Sequence, residues 1–236
     1  MEGLERILSE HPFFATFPQE HRQLLAGCAK NHRFNAGQFL FHEGDPANEF
    51  FLIRHGKIAL EIVDTKTSSL WNAYIDRYHY LGYTPLPGAQ LRYFVKADGE
   101  ILALLGFGAA AWKCAPRDTF IGWDAEARKR NLHLVVNNAR FLILVQVKNL
   151  ASRILSLAAK RIGSDWHARY GYAPVLLETF VDTERFTGTC YKASNWVCVG
   201  ATQGRGKLDR YHEQKLPVKS VWLYPLDKDF RQCLTG

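Results

Sequence analysis

The residues with the most chemical potential are scattered along the chain. His79 sits among tyrosines in "RYHYLGY", just before a Gly-Pro loop. Histidine is the usual acid–base side chain near neutral pH, so His79 reads as a general acid or base, or as a packed ring with one hydrogen bond. Glu178 lies inside the apolar run "LLETFVD". A carboxylate there is costly unless paired. It reads as a general base with a raised pKa, or as half of an ion pair with Arg140 as a candidate partner. Cys190, in "GTCYKASNW", could be a nucleophile only with a base and a lowered pKa, and otherwise is an inert thiol. His79 is its one attractive partner.

A second set could hold anions. Arg117 in "RDTFIGWD" could fork onto a phosphate, with Trp123 stacked on a base. The alternative is an Arg117–Asp118 pair with Trp123 in the core. In "NNARF", strict alternation sends Asn138 and Arg140 to one face of a strand. That face could line a cleft, or its amides could satisfy backbone groups. Finally, "GATQGRGKLDR" places Thr202, Arg205 and Lys207 in a glycine-rich basic loop. It is too short and wrongly ordered for a P-loop, but its cations suit phosphate.

Two differently patterned pieces must position these groups. The polar stretch "VDTKTSS" marks a boundary at residues 63/64. Before it, "GLERILSEH" and "FPQEHRQLLAGCAK" read as helices, with Pro18 in the first turn of the second. From His32 the period changes to two, around the turns "AGQ", "EGDPAN" and "RHGK". After the boundary, Leu70, Tyr74 and Tyr78 recur at helical spacing. "LRYFVKADGEILALLGFGAAAW" predicts two strands joined at Asp98-Gly99. A strand through "NNARFLIL" precedes a long helix with Leu150, Ile154, Leu157, Ala158 and Ile162 on one face. "PVLLETFVD" predicts a strand, "TGTCYKASNW" a short helix, and "VCVGATQ" and "VKSVWLYPL" the last strands. The fold class expected is α+β, around a mixed sheet.

Bulk composition bounds the rest. The 236 residues are 47% hydrophobic and 22% charged, enough for a core without staples. Five scattered cysteines with no metal-ligand spacing read as reduced, mostly buried thiols, and no metal site is expected. The longest apolar run is too short for a membrane span, and the acidic N-terminus is no export signal. A cytoplasmic protein with no membrane partner is expected. The net charge of +7 is uneven. Residues 1–62 hold six Lys/Arg against eight Asp/Glu, and residues 63–236 hold 24 against 15. The second piece could therefore attract nucleic acid or another anion.

Three resemblances follow from these motifs. "FNAGQFLFHEGDPANEFFLIRHGKIALEI", with Gly37, Gly44 and Gly56, resembles the opening strands of the cyclic-nucleotide-binding β-roll of Crp/Fnr-type regulators. The phosphate cassette of that family does not follow Ile62, so residues 1–63 are expected to form a partial domain. The element order of residues 64–236 resembles the GNAT acyltransferases. This likeness implies a cofactor site at "RFLILVQVKNLASRIL", where the turn "VKNLAS" contains no glycine, and it implies that Tyr191 could protonate a leaving thiolate.

The blocks "WNAYIDRYHYLGYTPLPGAQLRYFV", "LGFGAAAWK", "RDTFIGWD", "NNARFLIL", "LLETFVD", "GTCYKASNW" and "GATQGRG" resemble the family of the Druantia anti-phage protein DruA. That resemblance covers residues 70–234. It implies a phage-defence or mobile-element setting, with other defence-system or transposase proteins as partners. The sequence names no cofactor. Its combined reading is a GNAT-like basic domain acting on or beside nucleic acid, as a transferase-like enzyme or as a non-catalytic adaptor. A cyclic-nucleotide regulator is the third reading.

Overall fold

A computed structural model describes residues 4–10, 14, 16–30, 58–97, 99–204 and 217–236. The chain divides into two compact units, Met1–Phe51 and Leu52–Gly236. In the first unit, α1 (Leu4–Glu10) and α2 (Gln19–Cys28) flank a turn in which the Phe17 N–H donates to the Phe14 carbonyl. The Phe14 and Phe17 rings meet edge to face, 5.4 Å apart. Pro18 is the N-cap of α2, where its missing N–H costs nothing. The strands expected between His32 and Lys57 lie outside the described residues.

The second unit is built on a seven-stranded sheet. Its strands are β1 (Ala59–Ile62), β2 (Leu91–Ala97), β3 (Glu100–Ala109), β4 (Val135–Ile143), β5 (Leu176–Asp182), β6 (Val197–Ala201) and β7 (Lys219–Pro225). The spatial order is β1-β2-β3-β4-β5-β7-β6. Among the described residues only β4 and β5 run parallel. The expected β2–β3 hairpin is present, with Gly99 in the left-handed region. The mixed α+β sheet agrees with the sequence reading.

Helices cover both faces. One face carries α3 (Ser68–Tyr78), α4 (Ala115–Ile121), α5 (Ala125–Asn131) and α8 (Phe230–Thr235), over Phe94, Leu104, Leu142, Val135, Leu176, Val221 and Leu223. The other carries α6 (Leu150–Tyr170) and α7 (Thr189–Ala193), over Tyr93, Leu105, Val136, Leu177 and Trp222. "RDTFIGWDAEARKRNL" forms two short helices, with Gly122 closing the first in the left-handed region and Asp124 capping the second through the Ala127 N–H.

The periodicity reading needs two corrections. In α3 the buried positions are Trp71 and Ile75, and Leu70 and Tyr78 are exposed. In α6 the buried face runs through Leu150, Ile154, Leu155, Ala158, Ala159, Ile162 and Trp166, which leaves Leu157 outside. A tryptophan one position along outweighs a leucine, because the larger ring removes more apolar surface from water.

Candidate functional site at the splayed strands

The parallel pair sets the geometry. β4 and β5 are paired over only three positions, ending at Asn137 opposite Glu178, although both strands continue. Beyond that point they part. A bulge at Ala139 adds to the opening, since Phe107 faces Asn138 and Gly106 faces Arg140. The extra residue breaks alternation. Asn138 turns to the α7 side, where it meets Tyr191, while Arg140 turns to the α3 side beside Trp71. The expectation that the two share a face is therefore wrong, and the bulge is the reason.

Asn138, Thr179 and Tyr191 close the α7 side of the gap. The Tyr191 hydroxyl donates to Asn138 Oδ1 at 2.9 Å. Asn138 Nδ2 donates to the carbonyls of Gly106 and Arg140, and Thr179 Oγ1 donates to the Asn138 carbonyl at 3.0 Å. All three side chains are buried. Their bonds replace ladder bonds that the bulge and the splay remove. Burial pushes the Tyr191 hydroxyl well above its ordinary pKa, so it stays protonated as a fixed donor.

Glu178 lies on the α4 side, buried against Arg117 rather than Arg140. Oε2 accepts from Arg117 Nη1 at 2.8 Å, and Oε1 accepts from the Ala111 N–H at 2.7 Å. The Arg117 guanidinium also bonds Asp118 Oδ1 and the Ala111 carbonyl, and lies 5.5 Å from the Trp123 ring centroid. Trp123 Nε1 donates to Asp118 as well. Burial raises the Glu178 carboxyl, against the pull of Arg117 and the Ala111 N–H. Burial works against the charge on Arg117 too, but Glu178 and Asp118 outweigh it and leave Arg117 above its ordinary value. Arg117 has no exposed surface to offer a phosphate, and the enclosed Trp123 has no free face for a base. The pairing of Arg117 with Asp118 and the packing of Trp123 follow the structural alternative.

The exposed mouth of the splay carries the remaining groups. His79 caps the C-terminus of α3 and stacks on Tyr80, 4.9 Å between centroids. Tyr80 meets Phe186 edge-on at 5.6 Å, and the Arg185 guanidinium lies 5.2 Å over the Tyr80 ring. Arg185 Nε is 3.8 Å from Asp182 Oδ2 at the end of β5. Arg140 is half-buried, with Nη1 on the Ala139 carbonyl and Nη2 on Thr84 Oγ1. Its Nε has no partner among the described residues.

Burial, and then Arg140, hold the His79 pKa down to about 4. His79 Nδ1 accepts the Leu81 N–H, which leaves the neutral ring with its proton on Nε2. At neutral pH this ring can donate a hydrogen bond, and it has no free lone pair with which to take a proton.

His79 and Arg140 thus share one cluster, and Glu178 is sealed away from it by Arg117. Cys190 lies on the opposite face of the sheet from His79, and burial raises its thiol, so it gains no base. The five cysteines are free, but Cys28, Cys198 and Cys233 are exposed, contrary to the expectation of mostly buried thiols. Thr202 exchanges hydrogen bonds with the Lys219 backbone at the end of β6. Arg205 and Lys207 lie outside the described residues. Sequence reasoning missed Arg185 and Phe186. The available signal was an Arg-Phe pair in the loop directly after a buried strand, where ligand contacts tend to collect. Among the described residues no group of three or more His, Cys, Asp or Glu could hold a metal. No helix among them is long and apolar enough to cross a membrane.

No curated protein matches the chain. Solved structures similar to it include a polyamine N-acetyltransferase from Drosophila melanogaster, 13% identical over 72% of this chain and 100% of that one, with a TM-score of 0.44. The aminoglycoside acetyltransferase AAC(6')-Ib with coenzyme A is 11% identical over 75% and 96%, with a TM-score of 0.46. A probable acetyltransferase from Staphylococcus epidermidis is 6% identical over 72% and 99%, also at 0.46. At these identities and scores the likeness says nothing of activity. The family comparison is of another kind. The family model for Druantia protein DruA matches residues 45–213, well over half of the chain. The match takes in every element from β1 to β6 together with the whole cluster at the splay, and the chain belongs to the Druantia protein DruA family.

Proposed function

We propose that this chain is a nucleic-acid-binding component of an anti-phage or mobile-element system, with the mouth of the β4–β5 splay as its contact surface. One observation carries the reading. Two cations, Arg140 and Arg185, lie near the exposed Tyr80 ring, which meets the exposed Phe186 ring beyond the end of β5. Guanidinium groups suit phosphate oxygens, and exposed rings suit bases. The excess of basic residues in 63–236 supplies the attraction at longer range. Family membership supports the defence setting.

The non-catalytic form of this reading is the better supported one. Of the three residues a transferase reading would use as acid or base, His79 is a donor only, Glu178 is closed by Arg117 and Ala111, and Tyr191 is committed to Asn138. The test is anisotropy of a labelled oligonucleotide against the full chain over a range of salt. Affinity should fall steeply with salt, and Arg140→Gln and Arg185→Gln should each reduce the salt slope by about one. Absence of binding at low salt would defeat the proposal.

A further inference from the structure

The buried Arg117–Glu178 pair does something besides filling the core. It grips the backbone of one residue, Ala111, through the peptide groups on either side of it. The Ala111 N–H donates to Glu178 Oε1 at 2.7 Å, and the Ala111 carbonyl accepts from Arg117 Nη1 at 2.7 Å. Both gripping side chains are fully buried. The next residue in the chain, Trp112, is 56% exposed, and Lys113 beside it is exposed too. A buried ion pair is an expensive way to gain stability, and its better-attested use is to fix geometry. Here the geometry it fixes is the root of an exposed tryptophan.

We propose that Trp112 is a stacking platform for an unpaired base, so that the nucleic acid this domain takes is single-stranded. The inference rests on the nucleic-acid reading above and deepens it. Bases within a duplex have both faces covered by their neighbours, and only an unstacked base offers a face to an indole. A rigidly rooted ring loses little freedom when it stacks, which makes it a better platform than one on a loose loop. The adjacent Lys113 supplies charge for the flanking phosphate. Trp112 comes two residues before Cys114, the N-cap of α4, and α4 covers the same face of the sheet as α3. Trp123, which the sequence offered either for this role or for the core, is enclosed beneath Arg117.

The experiment uses the full chain, a labelled oligothymidylate and a duplex of equal length. Trp112→Ala removes an exposed side chain, and circular dichroism checks that the fold is kept. Single-strand affinity should drop about tenfold, as expected for one base–aromatic stack. Trp112→Phe should recover part of the loss, and duplex affinity should stay within twofold. If Trp112→Ala leaves single-strand affinity unchanged, or weakens single strand and duplex equally, the platform is refuted while the wider binding proposal stands. If the unaltered protein binds neither nucleic acid, the wider proposal fails first.

Discussion

Arg117 Nη1 lies 2.8 Å from Glu178 Oε2, and neither side chain has any exposure to solvent. The pair joins α4 to the centre of the sheet, and Asp118, Trp123 and Arg128 extend it towards the surface. Removing one partner leaves the other charge buried and uncompensated. Glu178→Ala should therefore destabilise the domain by ~3–5 kcal/mol. The double change Arg117→Met with Glu178→Leu should recover most of that loss, because it removes both charges together. Urea denaturation of the two variants beside the unaltered protein decides the matter. A loss below ~1 kcal/mol for Glu178→Ala would mean the carboxylate is not held as described.

His79 gives a pH dependence of definite sign. Its folded pKa of about 4 lies below the ordinary 6.5, chiefly because the ring is half-buried and then because Arg140 is near. Between those values the unfolded chain binds a proton that the folded chain refuses. Stability contributed by the neutral ring is therefore complete above about 6.5 and is lost as pH falls towards about 4. His79→Gln should flatten that acid limb. Carbon-detected titration of the ring should show the Nε2-protonated tautomer down to about pH 5. A midpoint at or above 6.5 would contradict the placement beside Arg140.

Much of the second unit was legible because its signals are local. Asp98-Gly99 between two alternating runs marks a hairpin, and the apolar stripe around Ile154 and Ile162 marks α6. The three expected strands that follow α6 are β5, β6 and β7. What could not be read is the consequence of one inserted residue. Nothing in "NNARF" announces that Ala139 is a bulge, since a bulge is defined by the partner strand and not by its own sequence. With it went the correct faces for Asn138 and Arg140. The partner of Glu178 was hidden for a similar reason. Arg117 is 61 residues away, and only the packing of α4 over β5 brings it close. Composition says a buried Glu178 needs a cation, and it cannot say which.

The hydroxyl of Tyr191 separates a structural from a catalytic use of the gap. It donates to Asn138 Oδ1 at 2.9 Å, and Asn138 in turn supports the bulge through the Gly106 and Arg140 carbonyls. Tyr191→Phe keeps the ring contacts with Trp196 and Phe141 and removes only the donor. Leaving Asn138 Oδ1 buried and unsatisfied should cost ~1–3 kcal/mol, read as a shift in the urea midpoint. Nucleic-acid affinity should stay within twofold, because the residue is buried on α7, across the sheet from α3 and Arg140. Were the hydroxyl to serve as an acid towards a bound ligand, the same variant would keep its stability and lose function in phage challenge. That outcome would move Tyr191 out of the scaffold and reopen the transferase reading.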